Sequence, residues 1–164
     1  MKTSLLMNFS VDKENKKINV EREFDAPVSK VWSAFTKSEI LDRWWAPKPW
    51  RAETKTMNFV EGGYWLYAMV SPEGQKHWAR TDFKKIDPLK SFSAGDAFCD
   101  ENGNINHAFP AAIWTNKFKE ASGSTIVNIE IVYGDIADLE KILEMGMKEG
   151  FTAALENLDA LLDS

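Results

Sequence analysis

Arg22-Glu23-Phe24-Asp25-Ala26-Pro27-Val28-Ser29-Lys30-Val31-Trp32-Ser33-Ala34-Phe35-Thr36, continued by Leu41-Asp42-Arg43-Trp44-Trp45-Ala46-Pro47-Lys48-Pro49-Trp50, is the stretch that decides the fold. It reads as the end of a strand, a helix opened by proline, and a second short helix closed by an aromatic cluster. Asp25 has the side chain of an N-cap, and Pro27 sits where a first-turn proline is tolerated. Val28, Val31, Trp32 and Phe35 recur at helical spacing. Ser38 is placed to cap the second helix, with Ile40, Leu41, Trp44 and Trp45 as its apolar stripe. Pro47 and Pro49 end it, because proline has no N–H to donate and restricts its predecessor.

Upstream, Leu5–Val11 and Lys17–Phe24 flank a polar turn-rich segment and read as a hairpin. Ile18, Val20, Arg22 and Phe24 share one face by period two. Arg22 therefore points with the apolar set. Its simplest explanation is a stem that snorkels past the sheet edge, and an anion or ligand contact is the alternative.

Downstream of Arg51 the pattern is of strands: Tyr64–Val70, Lys76–Ile86, Lys90–Phe98, Ala112–Glu120 and Thr125–Tyr133, separated by turn-forming segments such as Ser71-Pro72-Glu73-Gly74. The C-terminal segment is the longest regular element. Asp135 and Asp138 form an N-terminal cap signal. Ile136, Leu139, Leu143, Met147, Phe151, Leu155, Leu158 and Leu162 make one apolar stripe, with Lys141, Glu144, Lys148, Glu156 and Asp159 opposite. Unbroken to Leu162, this helix would span ~42 Å. Gly146 and Gly150 lie on one face, each costing about 1 kcal/mol of helix propensity relative to alanine. Close packing or a bend explains them, and room for a bound molecule is the functional alternative.

With 44% hydrophobic and 27% charged residues, the composition is that of a globular chain, read as one domain over residues 1–164. No apolar run approaches a membrane span and no signal-peptide pattern is present, so a cytoplasmic protein that does not engage a membrane is expected. The net charge of −5 argues against a nucleic-acid partner. Cys99 is alone and only His77 and His107 accompany it, which makes neither a disulfide nor a zinc site. No cofactor or metal is expected. Seven tryptophans and ten phenylalanines stand out. They make either an aromatic core or the walls of an apolar cavity.

The order of elements, together with Arg22 to Pro27, Val31 to Thr36, Arg43-Trp44-Trp45-Ala46-Pro47, Glu61-Gly62-Gly63-Tyr64-Trp65, Pro72-Glu73-Gly74 and the Gly150-Phe151…Leu155…Leu158…Leu162 tail, resembles the family named after the activator of Hsp90 ATPase. That family lies within the START-like (helix-grip, Bet v 1-like) superfamily, and the resemblance runs over essentially the whole chain. It departs from the family's commoner pattern in having Phe151 where Trp is usual. The resemblance implies an α+β fold: a curved antiparallel sheet of six to seven strands around a long C-terminal helix, with a cavity between them. Relatives of this kind bind hydrophobic ligands, cyclise polyketides or act as co-chaperones in stress responses. The eukaryotic co-chaperone corresponds only through its C-terminal domain, and its N-terminal Hsp90-binding domain has no counterpart in these residues. Hsp90 therefore ranks last among the partners.

No nucleophile elbow, phosphate loop or HExxH is present, so no catalytic residue is assigned. His77, in a strand near a turn, reads as exposed or structural before general base. Asp96, among Phe92, Ala94 and Phe98, points inward by parity or sits paired at a rim; buried, it would have a raised pKa suited to acid–base work. The expected ligand is a small hydrophobic molecule. Its candidate cavity residues are Arg22, Trp65, Tyr67, Phe92, Asp96, Phe98, Trp114, Asn116, Phe118, Tyr133, Leu143, Met147, Phe151 and Leu155. Arg22, Asp96, Asn116 and Tyr133 could orient its polar end. Parity stays open, since Trp65, Tyr67 and Met69 oppose an equally apolar Tyr64, Leu66 and Ala68. Trp44, Trp45 and Trp50 are read as a rim or gate, or as a face for a homodimer. An enzyme of the polyketide cyclase or dehydratase type is the alternative to a binding module, and it requires titratable groups converging in one pocket.

Overall fold

A computed structural model describes residues 5–163. The polypeptide forms β1 (Met7–Asp12), β2 (Lys17–Phe24), α1 (Val28–Thr36), α2 (Ser38–Trp44), β3 (Arg51–Met57), β4 (Tyr64–Val70), β5 (Lys76–Asp87), β6 (Ser91–Phe98), β7 (Ala112–Ala121), β8 (Ser124–Tyr133), α3 (Ile136–Glu144) and α4 (Met147–Leu162). All eight strands join one antiparallel sheet in the order β1-β2-β8-β7-β6-β5-β4-β3. The sheet thus has one or two strands more than expected. Register shifts between Thr54 and Thr56 and between Phe83 and Lys85 interrupt the ladders of the β3 side. Such bulges bend the bulged strand and deepen the twist, so they help the sheet curve around its contents.

Alternation decides which residues meet the helices. Ile18, Val20 and Phe24 on β2 pair with Ile131, Ile129 and Thr125 on β8, and every one of these is buried. Leu139, Leu155 and Leu158 from the C-terminal helices share that core with Val31, Phe35 and Trp44. A second aromatic packing forms under α1, where Trp32 meets Phe59, Phe92 and Phe118 edge-on at 5.0–5.9 Å. Edge-to-face pairs of this kind add roughly 0.5–1.5 kcal/mol each beyond burial.

Helix boundaries differ from the expectation by a residue or two. Pro27, not Asp25, occupies the N-cap of α1, and Lys37 precedes α2, whose first residue is Ser38. Asp135 does cap α3, its Oδ1 accepting from the Asp138 N–H at 2.8 Å. The C-terminal helix is not continuous. Gly146 has φ of +90° and ends α3 before α4 begins. An L residue there would carry the steric cost of the left-handed region. The bend aims α3 and α4 differently over the sheet.

Arg22 is the other departure. Only 6% exposed, it does not reach past the sheet edge. Its guanidinium pairs with Asp159 of α4 and donates from Nη1 to the Glu23 carbonyl at 2.6 Å. Asp159 therefore sits at the edge of the solvated face of the helix, part-exposed and turned toward Arg22. The pair ties β2 to α4.

Candidate functional site

A cavity of about 260 Å³ lies between the inward face of the sheet and the α3–α4 junction. Its origin is visible in the register. One rung across the sheet reads Trp65–Thr81–Asp96–Ala112–Tyr133, and the next reads Tyr67–Ala79–Phe98. In each rung an alanine stands between long side chains, Ala112 between Asp96 and Tyr133 and Ala79 between Tyr67 and Phe98. Neighbouring strands are about 4.8 Å apart, so each alanine leaves a strand's width of inward face unfilled. Trp45 and Pro47 close one side, and Ile142, Met147, Gly150 and Phe151 close the roof.

The roof uses both glycines. Gly146 and Gly150 line the cavity, and a Cβ added at Gly150 would meet only Pro47 Cγ, at 3.9 Å. Of the lining residues Met145 and His77 are exposed and mark the mouth, with Trp50 against the His77 ring at 5.5 Å. Deeper inside, a void of about 40 Å³ is bounded by Trp65, Phe92, Asn116 and Thr81, and it shares Trp45, Asp96 and Trp114 with the main cavity. A void this size has room for a water molecule, given polar partners. A larger trough of about 620 Å³ lies elsewhere, over polar residues of β1, β2, β7 and β8 such as Asn8, Asn19, Lys117 and Glu130. Its polar lining and place on the outer face make it a poor container for an apolar molecule.

The candidate residues thus divide. Tyr67, Asp96, Phe98, Trp114, Tyr133, Met147 and Phe151 line the main cavity, and Trp65, Phe92 and Asn116 line the inner void. Parity is settled in favour of Tyr67 and Met69 facing inward, while Leu66 and Ala68 are buried on the other face. Four candidates are not lining residues. Arg22 is held by Asp159, Phe118 is packed by Trp32 and Phe35, Leu155 is fully buried in the core, and Leu143 packs against the core's edge. Trp44 is not a rim residue either: it is 0% exposed and donates from Nε1 to the Ala34 carbonyl at 2.9 Å. Helical spacing turns Trp44 into the core and its neighbour Trp45 into the cavity. Trp45 is wall rather than gate, meeting Trp65, Trp114 and Phe151 at 5.7–6.0 Å. Only Trp50 stays near the mouth. With Trp44 and Trp45 turned inward, the aromatic face proposed for a homodimer is not formed there.

Sequence reasoning missed Ala79 and Ala112, because a cavity made by small residues has no composition signal. Gly146 and Gly150, four residues apart on one face, are the sequence's clue to room for a molecule.

The chemistry concentrates at the cavity floor. Asp96 is half-buried in the cavity wall, and desolvation pushes its carboxyl up to about 7, opposed only by a hydrogen bond with Thr81 and the Ala97 backbone. Thr81 Oγ1 lies 3.5 Å from Asp96 Oδ1. Burial, then the nearby Asp96, also raises the hydroxyls of Tyr67 and Tyr133, so both stay protonated. Tyr67 Oη accepts from Trp45 Nε1 at 3.0 Å. Trp114 Nε1 is buried with no hydrogen-bond partner among the described residues. Among those residues no cluster of three His, Cys, Asp or Glu could hold a metal ion, and no helix is long and apolar enough to cross a membrane.

An antiparallel sheet curved around C-terminal helices, with an apolar cavity between them, defines a helix-grip α+β protein. The sequence profile described as activator of Hsp90 ATPase homolog 1-like protein matches residues 25–163, and the chain belongs to that family. Among solved structures it is similar to Ms6760 from Mycobacterium smegmatis, with 28% identity, 97% of each chain covered and a TM-score of 0.88. It is also similar to a protein from Arthrobacter aurescens, with 31% identity, 95% of this chain and 91% of that one covered, and a TM-score of 0.90. CalU16 from Micromonospora echinospora, at 17% identity over 98% of this chain and 87% of that one, shares the fold with a TM-score of 0.62. A comparison with curated proteins finds no match.

Proposed function

We propose that this protein binds a small hydrophobic molecule in the cavity between the sheet and the C-terminal helices. The observation that carries the reading is the cavity of about 260 Å³ itself, walled by Trp45, Phe98, Trp114, Met147 and Phe151 and polar at one end. Apolar walls with a few convergent polar groups are the usual form of a small-molecule site. An engineered apolar cavity of ~150 Å³ accepts benzene, so in proportion this one suits about ten non-hydrogen atoms.

Native mass spectrometry of the protein purified from cells tests this. A co-purifying apolar molecule is expected, and Ala79→Phe, which fills the space between Tyr67 and Phe98, should abolish it. Retention of the same molecule by the folded variant would sink the assignment of this cavity.

A second reading, an acid–base enzyme acting on a hydrophobic substrate, is favoured by one specific observation. Asp96, Tyr67, Tyr133 and His77 all line a single cavity, which meets the geometric requirement for convergent titratable groups. Turnover of a bound molecule, lost in Asp96→Asn, would replace the binding reading with this one. An Hsp90 partner draws on family membership alone, and a pull-down with ATPase readout tests it.

A further inference from the structure

We propose that the ligand is a neutral carbonyl compound, whose oxygen accepts from Trp114 Nε1 and the protonated carboxyl of Asp96, beside the Tyr133 and Tyr67 hydroxyls. This rests on the reading of the cavity as a ligand site and adds the chemistry of its occupant.

The inventory of donors decides the class. An indole N–H can only donate, and that of Trp114 is buried without a partner among the described residues, in a side chain shared by cavity and inner void. Leaving a buried donor unpaired is unfavourable. Tyr67 Oη already accepts from Trp45, which leaves its own hydrogen to give. Tyr133, 6% exposed, stands across Ala112 from Asp96 in the sheet and lies close enough to feel its charge. These are three donors that remain donors, because both hydroxyls titrate well above neutrality. A carbonyl oxygen has two lone pairs and nothing to donate, so it takes the Trp114 N–H and one further donor and sets no hydrogen of its own against the rest.

The charges exclude other occupants. Among the described residues lining the cavity none is Lys or Arg, and Arg22 is committed to Asp159. A ligand carboxylate would be buried beside Asp96 with no cation to balance it, which is unfavourable. A saturated hydrocarbon would leave the Trp114 N–H unsatisfied. An alkylammonium would pair with ionised Asp96 but would set its own donors against those of Trp114 and the tyrosines.

Proton linkage follows from Asp96. Its carboxyl, held at about 7 by burial, donates to a carbonyl only when protonated. The groups facing it are Tyr67 on β4, Thr81 on β5, Cys99 just after β6 and Tyr133 on β8, with His77 of β5 also lining the cavity; Trp45 just after α2, and β7, α3 and α4 through Trp114, Ile142 and Phe151, add none that titrates. Asp82, whose charge also raises Asp96, is engaged by Arg80. If only the protonated form binds, the apparent affinity falls roughly 30-fold between pH 6 and pH 8.5, the ratio of protonated fractions.

The test uses three probes of one shape, 1-tetralone, tetralin and 1-aminotetralin, titrated calorimetrically and by the indole N–H resonances of the intact protein. At pH 6, 1-tetralone should bind at least tenfold tighter than tetralin and shift the Trp114 Nε1–H signal. Its affinity should weaken toward pH 8.5 in the wild type and stay flat in Asp96→Asn, whose amide can donate at every pH. Trp114→Phe, which keeps a ring and loses the N–H, should erase most of the preference over tetralin, and it serves if Asp96→Asn does not fold. Equal binding of 1-tetralone and tetralin would overturn the proposal while leaving the cavity a ligand site. Tighter binding of 1-aminotetralin, rising with pH, would also overturn it and make the floor a cation site. A pH dependence abolished by His77→Gln would assign the titration to the mouth and remove Asp96 from it. Failure of all three probes to perturb any cavity resonance would overturn the ligand site itself.

Discussion

Asp96 is an acid whose carboxyl is easier to keep protonated in the folded chain than in the unfolded one. Its ordinary value is 3.8 and burial raises it to about 7. Between those values the native state holds a proton that the unfolded state has released, so stability falls as pH rises from about 4 to about 7 and is level above. A rise of that size corresponds to about 4 kcal/mol. Because the cavity opens to solvent, about 2 kcal/mol is the expected size. Asp96→Asn should therefore be more stable than wild type in urea at pH 8 and nearly equal to it at pH 4. An unchanged pH profile in the variant would show that other groups carry the slope. The Arg22–Asp159 pair makes the opposite case, a charge that needs its partner. Asp159→Ala leaves Arg22, only 6% exposed, without its counter-ion. The loss should be about 2–4 kcal/mol, below the top of the range for buried pairs since Asp159 is part-exposed. Urea denaturation of Asp159→Ala against Arg22→Leu checks this, and the double apolar replacement should recover part of the loss. The inward parity of Arg22 was legible from the alternation of β2. Its partner was not, because Asp159 is 137 residues away and only the packing of α4 on the sheet brings it near.

At the level of elements, two glycines four residues apart behave differently. Gly146 is left-handed with φ of +90°, whereas Gly150 lies inside α4 with ordinary space beside it. Gly146→Ala should destabilise the fold by about 1–2 kcal/mol, the cost of an L residue in that region. Gly150→Ala should stabilise it by up to about 1 kcal/mol through helix propensity. Thermal unfolding of the two variants gives shifts of opposite sign if α3 and α4 are separate helices, and the same sign if one helix runs through. The periodicity of this segment was legible as an apolar stripe, but it continues in phase across the break and so hides it. Strand positions were likewise legible to within a residue or two, except β3, for which the alternation gave no bounds. Their inward faces were not always so, since β4 is apolar on both sides and only pairing with β5, through Tyr67 and Ala79, orients it. The pair Trp44 and Trp45 shows the same limit on a helix: adjacent residues point about 100° apart, one into the core and one into the cavity.

For the whole molecule, an occupied cavity adds ligand binding to folding free energy. A saturating probe at about 100 times its dissociation constant contributes about 2.7 kcal/mol. For a chain of this size that raises Tm by roughly 5–10 °C. 1-Tetralone at pH 6 should produce such a rise in the wild type and none in Ala79→Phe, by scanning calorimetry. The sequence by itself determined the order of elements, the two short helices after β2, the amphipathic C-terminal segment and the family to which they belong. These follow from local signals: proline and capping residues, period two and period 3.6. Tertiary structure alone decided the eighth strand's place in the sheet, the commitment of Arg22 to Asp159 and the space that Ala79 and Ala112 leave open. A cavity is an absence of atoms among residues brought together by cross-strand register, and no local spacing in the chain records it.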